Sequence, residues 1–124
     1  MSQVKLFIDV DDTLILYAYP ETKINYPLIR ALETWQREHP KDVLIVWSGT
    51  GALWATNAAE RLLPHLSISL TGDKSSPLLS LITNKDIAID DRSQESREYL
   101  KDFKKVYSPE EFIAYAKKAI AVVS

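Results

Sequence analysis

Three carboxylates, Asp9, Asp11 and Asp12, crowd into four residues directly after the largely apolar run 4–8 (VKLFI), and the hydroxyl of Thr13 closes the group. At about 5 Å and an effective dielectric near 20, each like-charge pair costs about 3 kcal/mol. Such a cluster persists at neutral pH only if a cation neutralises it or one acid keeps its proton. The first outcome calls for a metal ion or a lysine, the second for acid–base chemistry. Aspartate is also an ordinary turn residue at the end of a strand. That accounts for one of the three, and tolerably for two. It leaves unexplained why two acids are spaced by two residues with a hydroxyl behind them.

Val4, Leu6, Phe7 and Ile8 suit a strand buried on both faces. Residues 14–26 read as a hairpin or flap with Pro20 and Glu21 near its tip. Pro27 fits the first turn of a helix carrying Leu28, Ala31, Leu32 and Trp35 at helical spacing. Residues 43–47 predict a second buried strand ending at Ser48, and Gly49-Thr50-Gly51 leads into a helix over 52–63. Residues 66–70 predict a third strand, ending at Thr71-Gly72-Asp73-Lys74. Ser75-Ser76-Pro77 would start a short helix bearing Leu78, Leu79 and Ile82. Residues 87–89 predict a fourth strand ending at Asp90-Asp91, followed by a helix over 94–102 and a weak fifth strand at 103–107. Ser108-Pro109-Glu110-Glu111 is a capping box with proline at the first helical position. The helix it opens carries Phe112, Tyr115, Ala116, Ala119 and Ile120 on one face.

This alternation predicts an α/β fold: a Rossmann-like parallel sheet of about five strands with helices on both faces and a short flap after the first strand. Ligands of such sheets bind beyond the carboxyl ends of the strands. Four predicted strand ends carry Asp9, Asp11 and Thr13; Ser48; Lys74; and Asp90 with Asp91. The groups able to do chemistry therefore converge on one edge.

At 124 residues the chain fits a single domain, residues 1–124, with one core. Fifteen basic residues stand against seventeen acidic ones, so no bulk positive field recruits nucleic acid or anionic lipid, while a local basic patch stays open and net charge does not exclude nucleic acid. Cysteine is absent, which excludes disulfides, a thiolate metal site and a thiol nucleophile. The opening MSQVKLFIDVDD reaches acids after one short apolar run and does not read as a signal peptide. No apolar stretch is long enough to span a bilayer. A cytoplasmic protein without a membrane partner is the expectation.

The set Asp9-Val10-Asp11-Asp12-Thr13, Ser48, Lys74 and Asp90-Asp91, in that order, resembles the four motifs of the haloacid dehalogenase superfamily of phosphotransferases. The resemblance runs from residue 4 to about 92. It implies a Mg²⁺-dependent phosphomonoester hydrolase. Asp9 would be the nucleophile, forming an aspartyl-phosphate, and Asp11 the group that protonates the leaving oxygen and then takes a proton from water. Ser48 would bind a phosphoryl oxygen and Lys74 would neutralise charge. Mg²⁺ would sit between Asp9, the backbone carbonyl of Asp11, and Asp90, while Asp91 would coordinate through water or orient Lys74. Proximity to Asp9 is expected to raise the proton affinity of Asp11. Many members of that superfamily have glycine where Asp12 stands; aspartate is tolerated in turns, so Asp12 reads as a spacer.

Lys85 competes with Lys74 for the lysine role, but it precedes the fourth strand and should lie at the opposite end of the sheet. The flap is short and no long insertion follows residue 70, so the resemblance implies an uncapped or minimally capped enzyme. Such members act on large substrates or borrow a neighbouring subunit as a lid, which makes a homo-oligomer one expectation. The phosphorylated substrate itself is open: a nucleotide, a sugar phosphate or something larger. A phosphate-binding or interaction module with little turnover is the alternative. A receiver-like domain is a further class, of similar length and with an acidic pair and a lysine. It takes phosphate on an aspartate ending a central third strand; here the candidate ends are Ser48 and Thr71, with Asp73 just beyond.

Tyr17, Tyr19 and Tyr26 either overhang the pocket or pack the hairpin onto the sheet. Arg92 would bind substrate phosphate or pair with Asp91. Trp35 and Trp47 read as core, His39 and His65 as exposed bystanders, and Lys101, Lys104, Lys105, Lys117 and Lys118 as a solvated basic face.

Overall fold

The computed structural model describes residues 4–18, 20–75, 77–91 and 98–123. In chain order the elements are β1 (Lys5–Asp9), β2 (Ile15–Ala18), β3 (Glu21–Ile24), α1 (Tyr26–Glu38), β4 (Val43–Ser48), α2 (Ala52–Leu62), β5 (Leu70–Asp73), β6 (Ile87–Ile89), β7 (Lys105–Tyr107) and α3 (Pro109–Val123). Two 3₁₀ turns, Leu78–Leu81 and Glu98–Asp102, precede β6 and β7.

Five strands form a parallel sheet in the order β5-β4-β1-β6-β7. The chain moves outward from β1 through β4 to β5, then returns to the other side of β1 at β6. This is an α/β Rossmann-like arrangement, and its switch point lies between β1 and β6. Right-handed crossovers then put α1 and α2 on one face and the later links on the other.

Strand alternation divides the core accordingly. Leu6 and Ile8 of β1 join Leu44, Val46, Ile87 and Ile89 beneath the three α-helices. Phe7, Ile45, Trp47 and Ala88 face the other way, where Leu78, Leu100 and Phe103 cover them. The Phe7 ring lies 4.9 Å from Trp47 and 5.2 Å from Phe103, centroid to centroid. Helix α1 buries Leu28, Ile29, Leu32 and Trp35, each contributing about 2 kcal/mol of transfer free energy. At the start of α3, Ser108 Oγ accepts from the Glu111 N–H at 3.1 Å, and the Glu111 carboxylate accepts from the Ser108 N–H at 2.9 Å. That is the capping box the sequence predicts.

Three elements depart from the sequence reading. The third strand of the sheet is 70–73, not 66–70; its residues pair with Ile45 to Ser48 of β4. It is an edge strand built of Thr71, Gly72 and Asp73, so it carries no apolar signature, while the apolar Leu66 and Ile68 just before it pack on the core without joining the ladder. The helix expected from residue 75 contracts to the 3₁₀ turn 78–81, and 98–102 is likewise 3₁₀. The second face is therefore covered by short turns among the described residues.

The flap is a two-stranded antiparallel hairpin, β2 with β3. Its exit is anchored by the buried Asn25, whose amide donates to the Thr13 carbonyl at 3.0 Å while its oxygen caps α1 at Leu28 N–H. No cap domain is present among the described residues. No described helix is long and apolar enough to cross a membrane.

Candidate active site

Extended geometry stops at Asp9. The Val10 carbonyl accepts from the N–H groups of Leu14 at 2.9 Å and Ile15 at 3.0 Å, folding 10–15 into a tight loop. Asp12 occupies the left-handed region there, with φ of 59°, a conformation aspartate tolerates better than most residues. A strand continued through Asp11 would aim Asp9 and Asp11 to the same side; the loop breaks that alternation, and the two carboxylates have different partners.

Asp9, at the end of β1, is buried. One of its oxygens lies 2.9 Å from Lys74 Nζ, and the other accepts from Thr13 Oγ at 3.2 Å. Lys74 follows β5 and also reaches Asp90, at the end of β6, at 3.2 Å. Its ammonium group sits over the rings of Trp47 and Tyr99 at 5.7 and 5.8 Å. Carboxylate oxygens of Asp9, Asp90 and Asp91 all lie within 4.8 Å of one another. The trio flanks the switch point between β1 and β6. Burial is the main force on the Asp9 carboxyl; Lys74 opposes it, Asp90 and Asp91 add to it, and the result is a rise from 3.8 to about 6. Burial also works against the Lys74 charge, but Asp9 and Asp90 outweigh it and hold the ammonium above its ordinary range.

Asp11 faces the end of β4 and the start of α2. One oxygen accepts from Tyr17 OH at 2.7 Å and Trp54 Nε1 at 3.1 Å; the other accepts from Thr50 Oγ at 2.9 Å and Ser48 Oγ at 3.2 Å. Partial burial pushes its carboxyl up, but these four donors together outweigh that and hold it below the usual carboxylate range. This corrects the expected direction: neutral donors, rather than the charge of Asp9, dominate the surroundings of Asp11. Burial, and then the bond to Asp11, push the Tyr17 phenol up to about 12.

Three all-oxygen carboxylate ligands are the donor set a hard divalent cation such as Mg²⁺ prefers. Asp9, Asp90 and Asp91 therefore fit the ion; the Asp11 side chain is outside this trio. Lys74 is the counter-charge among them.

Asp9, Thr13, Lys74, Asp90 and Asp91 thus form one cluster, and Asp11 with Ser48 a second beside it. Lys85 lines a cleft at the amino end of the sheet, as expected. Tyr17 reaches the site through its hydroxyl bond to Asp11, whereas Tyr26 lines a groove with Arg30 and Arg61 between α1 and α2. Trp35 and Trp47 are core and His65 is exposed. His39 is no bystander: its ring stacks on Trp35 with centroids 4.0 Å apart. Arg92 and Tyr19 lie outside the described residues. The sequence reading missed Thr50 and Trp54. A hydroxyl two residues past a strand end was the available signal for the first. An exposed aromatic in the first turn of the following helix was the signal for the second.

No family model matches the chain, and no curated protein matches it. Among solved structures it is similar to a hypothetical protein from Xanthomonas campestris, with a TM-score of 0.56 and 16% identity. The likeness establishes the fold alone. It covers 86% of this chain and 63% of the other, so the chain spans less than two-thirds of that protein's length. The strand order bears on the receiver reading as well. Asp73 does end the third strand of the sheet, but that strand is at the edge, whereas a receiver-type order of 2-1-3-4-5 places it at the centre.

Proposed function

We propose that the chain is a Mg²⁺-dependent phosphomonoester hydrolase working through a phosphorylated Asp9, as its resemblance to the haloacid dehalogenase superfamily implies. The observation that carries this reading is the buried Asp9 carboxylate, held between Lys74 and Thr13 with Asp90 and Asp91 within metal-ligand reach. One Asp9 oxygen forms a bond to phosphorus as the bond from phosphorus to the leaving oxygen breaks. Asp11, which takes up a proton from solvent once Ser48 and Thr50 turn to the phosphate, gives it to the leaving oxygen, then takes one from the water that attacks the phosphoryl-Asp9, releasing inorganic phosphate and restoring Asp9. Ser48 and Thr50 hold phosphoryl oxygens through the hydroxyls that now bond Asp11. Lys74 stays beside the nucleophile and offsets the charge the phosphate brings. Asp9, Asp90 and Asp91 would hold Mg²⁺, which when bound neutralises charge on the phosphate and the carboxylates.

Beside Asp11 stand the exposed side chains of Tyr17 and Trp54, and no cap lies over them among the described residues. An open mouth suits a large phosphorylated substrate, or a lid from a second copy of the chain; a nucleotide or sugar phosphate would also enter. We place the enzyme in the cytoplasm. Hydrolysis of p-nitrophenyl phosphate with Mg²⁺ tests the reading: Asp9→Asn should reduce release to background, and wild-type rates in that variant would overturn it.

A second reading, a phosphate-binding module with little turnover, is favoured by one observation: Asp11 has all four neighbouring donors engaged. Phosphate release beyond one equivalent per chain decides between the two.

A further inference from the structure

We infer a second binding site, for a nucleotide, at the end of the sheet opposite Asp9; it does not depend on the phosphatase reading. The strands begin on a cleft of about 500 Å³, within the range of about 300–1,000 Å³ typical of small-molecule sites. Lys41 from the α1–β4 connection, Lys85 from the turn before β6, and Lys104 and Lys105 at the start of β7 converge on it. Among the described residues none of these four forms an ion pair. Lys5, at the same end, differs: it is committed to the buried Asp86 at 3.1 Å.

Two acids also line the cleft, Glu38 and Asp42. Asp42 is engaged, accepting from Trp35 Nε1 at 3.1 Å and from the Val4 N–H at 3.4 Å. Four lysines against two acids leave an excess of two positive charges, on a chain whose net charge is −2. Like charges drawn from three separate segments repel one another unless an anion joins them.

The wall of the cleft is aromatic. Tyr107 and Tyr115 stack with centroids 4.9 Å apart, and Lys105 Nζ lies 5.7 Å above Tyr107. Tyr115 is 37% exposed, so part of its ring is free to meet a ligand. Cations beside an open aromatic surface match a ligand that joins a flat ring to an anionic group, which is the chemistry of a nucleotide. A long polyanion fits less well: the cleft is bounded, Glu38 stands on its wall, and the rest of the chain repels it.

The test is titration of the full chain with ADP in EDTA, which leaves the acidic trio at the other edge without a divalent ion. Calorimetry gives affinity, and two-dimensional amide NMR gives location. ADP should bind about tenfold or more tighter than adenosine or pyrophosphate. Shifts should fall on Trp35 Nε1–H and the amides of Lys85, Lys105 and Tyr107. Lys85→Gln should weaken ADP about tenfold while leaving hydrolysis of p-nitrophenyl phosphate unchanged. Tyr115→Ala should weaken ADP but not pyrophosphate; if it unfolds the chain, Tyr115→Leu takes its place. The inference is overturned by no binding at about 5 mM, by shifts confined to Asp9, Ser48 and Thr50, or by pyrophosphate matching ADP. It is also overturned by a single-stranded oligonucleotide binding far tighter than ADP, which would make the surface a nucleic-acid track.

Discussion

Replacing Asp9 by asparagine should abolish turnover and, in the absence of metal, stabilise the fold. The Asp9 carboxyl sits at about 6 in the folded chain against 3.8 ordinarily, chiefly through burial. Ionising it in the native state therefore costs about 3 kcal/mol more than in the unfolded chain. The folded chain binds the proton more tightly, so stability falls as pH rises from 3.8 to about 6 and is level above that. Asparagine has the same shape and no charge to desolvate, and its oxygen can still accept from Lys74. The opposing attraction of Lys74 is already contained in the net rise. Allowing for relaxation of the site, Asp9→Asn should gain about 1–3 kcal/mol near pH 8, or about 5–10 °C in Tm for a chain of this size, and almost nothing at about pH 4. Mg²⁺ should reverse the order: at about 100 times its Kd it adds about 2.7 kcal/mol to the wild type and far less to a variant lacking one of three carboxylates. Thermal and urea unfolding at both pH values, in EDTA and in Mg²⁺, make the measurement. A variant less stable than wild type near pH 8 in EDTA, or a gap that persists unchanged into acid, would refute the reasoning.

Lys74→Met leaves Asp9, Asp90 and Asp91 without their buried cation and should cost about 3–5 kcal/mol in EDTA; unfolding curves should show Mg²⁺ or mild acid restoring much of it, since either removes the carboxylate repulsion. Tyr17→Phe removes one of the donors on Asp11 from a half-exposed side chain, so stability should change by about 1 kcal/mol or less. Inorganic phosphate should then bind up to about fivefold tighter by calorimetry, because it meets a less firmly held competitor; weaker binding would count against that competition. Asp12→Gly should be within about 1 kcal/mol of wild type, since glycine accepts the left-handed φ, whereas Asp12→Val should cost about 2 kcal/mol in chemical unfolding.

Residues whose role depends on where a strand ends were readable from sequence. Asp9, Ser48 and Asp90 follow runs of buried apolar residues, and the rule for parallel sheets puts them on one edge. Lys74 was reachable by the same logic even though its strand was misplaced by several residues, because the correct strand, 70–73, still delivers it to that edge. What hid the strand was its composition: an edge strand of Thr71, Gly72 and Asp73 has no apolar face to register. The short 3₁₀ turns were hidden for a related reason, since three or four apolar residues fit one helical turn of either kind. That Asp11 would draw its donors from Thr50 and Trp54 was much harder to read, since only their positions past a strand end and in the first turn of a helix hint at a site. They are 39 and 43 residues away from Asp11 in the chain, and nothing local pairs them with that carboxylate.

Those partners alter how the acid cluster at 9–12 is to be understood. Two adjacent acids of one type end in opposite electrostatic states because the loop after Val10 turns them toward different elements. Asp9 is pressed against other carboxylates in a buried site and holds a proton more readily; Asp11 is surrounded by hydroxyls, a phenol and an indole and holds one less readily. Four donors arranged around a pair of anionic oxygens also describe what a phosphoryl group requires. Asp11 occupies, in this structure, the Ser48 and Thr50 hydroxyls that the proposed function assigns to a substrate phosphate. On that proposal, binding would exchange one anion for another, and the exchange would free Asp11 beside the group that needs a proton. Substitutions that loosen Asp11 without touching Ser48 or Thr50 should thus strengthen phosphate binding, whereas Thr50→Val, which removes a donor common to both anions, should weaken it.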